Sequence, residues 1–404
     1  MTAVQERPGT DALQLATRNE LLAAAHALVP ALCATADEAD RDRRLPEQTV
    51  AALRDGGFFK LTTPRRFGGH QVNMRTYLEV TAELARGCSS SAWVAMILGG
   101  GNFSTSLYSE QAQNEVWGDN PEACVAGVLT AGATGQHADG GQILSGKWGF
   151  ASGSYQADWI VLVFNIVDDQ GQPIDQGLAL VPMSDLTIED TWFVAGMRGT
   201  GSNTVVAQDV FVPDHRILSL TALAQGQYST EFTDEAEYRT HALTALVLAI
   251  VGPQLGMAQA ALERVLDIVA KGKPISYSFY QRSADSPSYQ LNIADAASLI
   301  DKARLLALRA ADDLDEAGRT GQVPDTLSRA RIRMDIGQAA KLARDAVDLL
   351  LNVGGAGSFA EVNSLQRIWR DIETASRHAS INTDLSRELY GRALLGIEEQ
   401  VAPF

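Results

Sequence analysis

At 404 residues, with 46% hydrophobic and 20% charged side chains, the chain is long enough for more than one layer of core, and this composition excludes intrinsic disorder. A formal net charge of −16 argues against nucleic acid or an anionic membrane as the main partner, because phosphate binding needs clustered Lys and Arg. Three widely spaced cysteines (Cys33, Cys88, Cys124) match no metal or redox spacing, and the opening MTAVQERPGTDALQ is polar and carries no signal-peptide core. The apolar run Ala242–Val251 is shorter than a membrane span, so the expectation is a reduced, cytoplasmic protein without a membrane partner.

Three textures follow one another. From residue 10 to 122 the pattern is helical: Leu21, Leu22, Ala25, Leu28, Val29 and Leu32 recur at helical spacing. A second helix runs through Val50, Leu53 and Phe58 to Gly56-Gly57, and Met74–Leu84 and Ala92–Leu98 predict two more, the latter capped from Ser89-Ser90-Ser91. From 123 to 232 short β-type runs broken by glycine predict a compact sheet or small barrel: Gln142–Gly146, Trp159–Phe164, Gly177–Pro182, Thr187–Asp190 and Thr204–Val212. From 233 to 404 four helices are expected, at 240–271, 289–318, 326–352 and 363–396, forming a bundle. The fold class is mainly α with a central β domain.

Four segments carry residue types suited to chemistry. Gly146-Lys147-Trp148-Gly149-Phe150-Ala151-Ser152-Gly153-Ser154 offers aromatic faces and then a hydroxyl, which is what an isoalloxazine ring needs; a plain hairpin with an aromatic core reads equally well. Gly196-Met197-Arg198-Gly199-Thr200-Gly201-Ser202-Asn203 is either a phosphate or flavin cradle or a Gly-rich turn; a strand follows it, so it is no dinucleotide fingerprint. Phe279-Tyr280-Gln281-Arg282 places an arginine beside aromatics, for a pyrophosphate or for solvent. Gly354-Gly355-Ala356-Gly357 ends a helix and lets backbone approach a flat group; Trp369-Arg370-Asp371 and the lone His378 follow. His378 is either a satisfied core histidine or a proton-exchanging group. No strand–Gly-x-Ser-x-Gly–helix elbow supports a Ser-His-Asp hydrolase, and no histidine pair has metal-ligand spacing.

In this order, together with Leu61-Thr62-Thr63-Pro64, Phe67-Gly68-Gly69 and Val212-Pro213, the motifs resemble the acyl-CoA dehydrogenase fold over essentially the whole chain: helical N-domain, β-barrel-like middle domain, C-terminal four-helix bundle. Dehydrogenases of that fold often carry a glutamate base shortly after Arg-Asp; here the stretch reads Ala375-Ser376-Arg377-His378-Ala379. The chain therefore looks like the flavin-dependent monooxygenase branch, similar to oxygenase components of two-component aromatic hydroxylases, with the xiamycin-type indole oxygenases as one resemblance. That resemblance implies reduced FAD (or FMN) from a separate flavin reductase, O2 adding at flavin C4a to give a hydroperoxide, an aromatic phenolic or indole-type substrate, and a homotetramer. It implies Ser152 near flavin N5, His378 as the base facing the substrate, and Trp148 and Phe150 around the ring. Arg282, Gly354 and Gly355 would lie at the phosphate or adenine end. Glycines stand where several relatives carry a second histidine (Gly99-Gly100-Gly101-Asn102), so that the auxiliary role is either missing or passed to Asn102 as a substrate contact, and a wider pocket is implied there. An acyl-CoA dehydrogenase with its carboxylate elsewhere and a non-catalytic flavin-binding scaffold are the two alternatives.

Overall fold

The computed structural model describes residues 10–168, 170–397, 399 and 401–402, so the polar N-terminal stretch of residues 1–9 lies outside it. Five helices come first: α1 (Thr10–Asp42), α2 (Glu47–Asp55), α3 (Met74–Gly87), α4 (Ser89–Thr105) and α5 (Glu110–Trp117). The long α1 buries one stripe, Leu21, Ala25, Leu32, Ala36 and Ala39, at helical spacing. By contrast α4 is buried almost all round, because it sits between α3, the first strand and the C-terminal helices. Its start differs from expectation: Ser89, Ser90 and Ser91 lie inside the helix, and Cys88 is the cap residue.

Eight strands follow: β1 (Val125–Val128), β2 (Gln136–Ala138), β3 (Gly141–Trp148), β4 (Trp159–Val167), β5 (Pro173–Pro182), β6 (Thr187–Glu189), β7 (Thr204–Pro213) and β8 (Ile217–Ser219). They form two four-stranded sheets, ordered β1-β4-β5-β8 and β2-β3-β7-β6, rather than one closed barrel. Buried Trp148 at the end of β3 ties the sheets, donating its indole N–H to the Val163 carbonyl of β4 at 2.7 Å.

Helices then return as α6 (Leu220–Ala224), α7 (Ala242–Ala249), α8 (Val251–Ala270), α9 (Pro287–Thr320), α10 (Thr326–Gly354), α11 (Ser364–Ala375) and α12 (Thr383–Leu394). Buried alanines let α9 and α10 pack closely: Ala303, Ala307 and Ala310 on one, Ala339, Ala340 and Ala343 on the other. Two helical stretches, Leu13–Asp42 and Ala242–Ala270, are by length and composition long and apolar enough to cross a membrane, longer than the run Ala242–Val251 that the sequence offered; 78% of the second's apolar window is buried inside the fold. The expected helix over 363–396 is in fact two, parted by residues 376–382 and a short 3-10 turn at Ala379–Ile381. That break sets His378 at a chain corner instead of inside a helix.

Candidate active site

Strand β3 ends at Trp148, and Phe150 adopts φ +60°. The reversal breaks the two-residue alternation of a strand, so Trp148 is 1% exposed while Phe150 is 76% exposed. Phe150 stands edge-on to Trp192 at 5.5 Å between ring centres. The chain then turns tightly. The Ser152 amide donates to the Phe150 carbonyl at 2.8 Å, and Gly153 takes φ +76°, where a side chain would be strained and pressed toward Leu98. Asn203 secures the neighbouring loop: its Oδ1 accepts from the amides of Thr191 and Trp192, and its amide group donates to the Tyr155 hydroxyl.

The Ser152 hydroxyl lies 3.2 Å from the Trp93 indole N–H of α4 and 2.5 Å from the Ser202 hydroxyl. Ser202 in turn meets Thr200 at 2.6 Å, and Thr200 donates to the Met197 carbonyl at 2.8 Å. The Met197 amide donates to the buried Asp371 carboxylate at 2.5 Å. Burial pushes the Asp371 carboxyl up to about 6, against the opposing pull of the Met197 N–H and Arg367. Its neighbour Arg370 pairs with Asp40 of α1 and donates to the Ala195 carbonyl, while a Cβ on Gly196 would collide with the Arg370 carbonyl. Arg-Asp is thus a clasp holding the loop 195–203 against α11. Arg198 is spent the same way, on the carbonyls of Asp40 and Val194.

Just beyond that clasp comes His378, its ring 6.1 Å from the Trp93 ring. Trp93 therefore touches both Ser152 and His378. The imidazole Nδ1 accepts from the Ser380 amide at 3.3 Å and lies 2.7 Å from the Ser380 hydroxyl, capping the turn that follows. The ring opens to solvent at one side, yet crowding by protein atoms holds its pKa below the ordinary 6.5. The cause of that shift is desolvation, which disfavours the imidazolium. A cleft of about 680 Å³ lined by Arg65, Arg66, Glu235, Asp312 and Asp315 shares no residue with this cluster.

An isoalloxazine ring fits what is present. Phe150 offers an exposed apolar face, Ser152 keeps a second acceptor lone pair, and the Ser154 hydroxyl of the same turn is buried without a partner among the described residues.

Comparison with known proteins agrees. The acyl-CoA dehydrogenase N-terminal domain matches residues 16–117 and the C-terminal domain residues 248–383. The oxygenase subunit HsaA of a flavin-dependent monooxygenase from Rhodococcus jostii is 34% identical over 374 residues, 92% of this chain and 97% of that one. The oxygenase component of an FADH2-dependent resorcinol hydroxylase from a Rhizobium species is 33% identical, covering 90% and 91%. XiaF from a Streptomyces species, solved with FADH2 and glycerol, superimposes with a TM-score of 0.92 at 36% identity, covering 98% and 99%. The chain belongs to the flavin-dependent monooxygenases of the acyl-CoA dehydrogenase family.

Within this monooxygenase the residues expected from sequence fall into two groups. Ser152, Phe150 and His378 come together around Trp93 and Trp192. Trp148 does not: it is core, with its N–H already bonded, and presents no face to a ligand. Asn102 is also corrected. Fully buried, it donates to the Phe59 carbonyl and the Thr63 hydroxyl and accepts from the Val125 amide, so it joins the helical layer to β1. Gly99 and Gly101 do not widen a pocket either, because a Cβ on Gly99 would meet the Tyr77 ring and one on Gly101 the Val125 carbonyl; at Gly100 a Cβ would reach only ordinary contact with Leu246. Asn102→Ala is accordingly expected to cost about 1–3 kcal/mol by orphaning the Val125 N–H, seen as a lower denaturation midpoint. Arg282 pairs with Asp285 on the exposed connection between α8 and α9. Gly354 needs to be glycine because of Ser358, and Gly355, at φ +61°, closes α10 with open space beside it. Trp93 was not singled out by sequence; Thr200 and Ser202 stood there only as hydroxyls of the Gly-rich loop, and it is the folded loop that brings them behind Ser152.

Proposed function

We propose that this chain is the oxygenase component of a two-component aromatic hydroxylase, working as a cytoplasmic homotetramer beside a separate flavin reductase. The observation that carries the reading is the meeting of Ser152 and His378 on Trp93. Reduced flavin, FAD on this reading, supplies when bound the electrons with which one atom of O2 enters a phenol or indole and the other leaves as water. Ser152 would accept a hydrogen bond from the N5 edge of the ring, and exposed Phe150 would cover an apolar face and exclude water. His378 faces the substrate hydroxyl or ring N–H. In the capped arrangement its neutral ring carries the proton on Nε2; moving that proton to Nδ1, toward the Ser380 hydroxyl at 2.7 Å, frees Nε2 to act as a base. Arg282 and Gly355, both open on the surface, are left for the phosphate and adenine end.

The test supplies chemically reduced FAD, 18O2 and a panel of phenols and indoles to the purified protein. One 18O atom in a hydroxylated product is the expected outcome. Bleaching of oxidised bound flavin by an acyl-CoA, with no labelled product, would establish a dehydrogenase instead.

A further inference from the structure

The hydroxyl chain behind Ser152 makes all of its contacts in one direction only, even though the Met197 carbonyl at its end also accepts from the Trp192 indole N–H. Thr200 donates its proton to the Met197 carbonyl, which has none to give back. The Thr200 oxygen, 2.6 Å from Ser202, must then be the acceptor of the Ser202 proton. Ser202 has no second proton, so in the 2.5 Å contact with Ser152 it is Ser152 that donates. At the far end Trp93, whose indole nitrogen can only donate, fills one lone pair of Ser152 at 3.2 Å. What remains on Ser152 is a single lone pair. All three hydroxyl residues are at most 6% exposed, so water does not readily compete for these bonds.

We propose that this relay makes Ser152 an acceptor only, and that Thr200 and Ser202 thereby set the preference of the site for reduced over oxidised flavin. Reduced isoalloxazine carries a proton on N5 and donates there; oxidised isoalloxazine has a bare N5 lone pair that faces the Ser152 lone pair with no proton between them. The proposal rests on Ser152 meeting that edge of the ring. It assigns Thr200 and Ser202 as positioning residues, acting through Ser152 and not on the reacting atoms. The Met197 peptide, pinned through its N–H to Asp371, anchors the relay.

Thr200→Val removes the proton sink while keeping the shape of the side chain. Ser202 then turns its proton back toward Ser152, and the Ser152 hydroxyl is released to donate outward. The experiment measures dissociation constants for FAD and, anaerobically, for FADH2, with the bound midpoint potential as a second readout. In the unsubstituted protein FADH2 should bind more tightly than FAD. In Thr200→Val the ratio should shrink by about 3–10-fold, the worth of one hydrogen bond, chiefly through tighter FAD binding. A tenfold change in the ratio corresponds to about 30 mV for a two-electron couple. Thr200→Ser, which keeps the hydroxyl, should restore the original ratio, and Ser202→Ala should mimic the valine should the latter fail to fold. An unchanged ratio in both Thr200→Val and Ser202→Ala, with flavin still bound, would overturn the proposal. Failure of the unsubstituted protein to bind either form would instead refute the flavin reading itself.

Discussion

His378→Ala is expected to lower hydroxylated product by ~10²–10⁴-fold, the usual worth of a positioned proton-transfer group, while leaving the dissociation constant of reduced flavin within about twofold. The separation follows from geometry. Ser152 is held by Trp93, Ser202 and the loop clasped to Asp371, none of which needs the imidazole, whereas His378 meets this cluster through the Trp93 ring and faces the substrate on the reading proposed. Crowding lowers the imidazolium pKa, and a depressed pKa means the neutral, proton-accepting form persists from below pH 6.5 upward. Activity of the unsubstituted enzyme should therefore fall only as pH drops beneath that point, and this acidic limb should vanish from the residual rate of His378→Asn. Coupled assays under single-turnover conditions, with product quantified by chromatography, decide it. Equal product from the alanine variant would remove His378 from the chemistry and return it to the role of a turn cap for Ser380.

What the sequence carried plainly was periodicity. The stripe on α1 and the alanine faces of α9 and α10 are local patterns with a local cause, and so is the change to short strands after residue 123. Sidedness was harder to read. Trp148 and Phe150 are two apart, and strand alternation puts both on one face; the positive φ at Phe150 sends one into the core and the other outward. Asn102 and the glycines before it look like a vacated pocket wall because the residues that fill the space, Tyr77 and Val125, lie far away in sequence. The helix break at 376–382 likewise has no strong local marker, since neither Gly nor Pro occurs there. Its consequence is the exposure of the very histidine that sequence did single out.

Asp371→Ala is the substitution expected to damage stability most, by about 3 kcal/mol, as when a buried hydrogen bond to a charged acceptor is lost and its donor left unsatisfied. It leaves the Met197 N–H unpaired in a buried loop and takes a second nearby carboxylate from Arg367, which keeps its ion pair with Asp37. Asp371→Asn keeps an acceptor for Met197 and should lose much less. The two also differ in pH dependence. Because burial raises the Asp371 carboxyl to about 6, ionising it costs the folded state, so this group's contribution to stability falls as pH rises from about 4 to 6 and is level above that. Asn cannot ionise, so the gap between wild type and Asp371→Asn should narrow across that interval in urea titrations. The same clasp bears on function: with Met197 released, the Thr200 proton loses its fixed acceptor and Ser152 its fixed direction. Asp371→Ala protein that remains folded should therefore discriminate less between FADH2 and FAD, although Asp371 touches no ligand. Full stability in the alanine variant would show that loop 195–203 is held by Arg370 and Asp40 without help from Asp371.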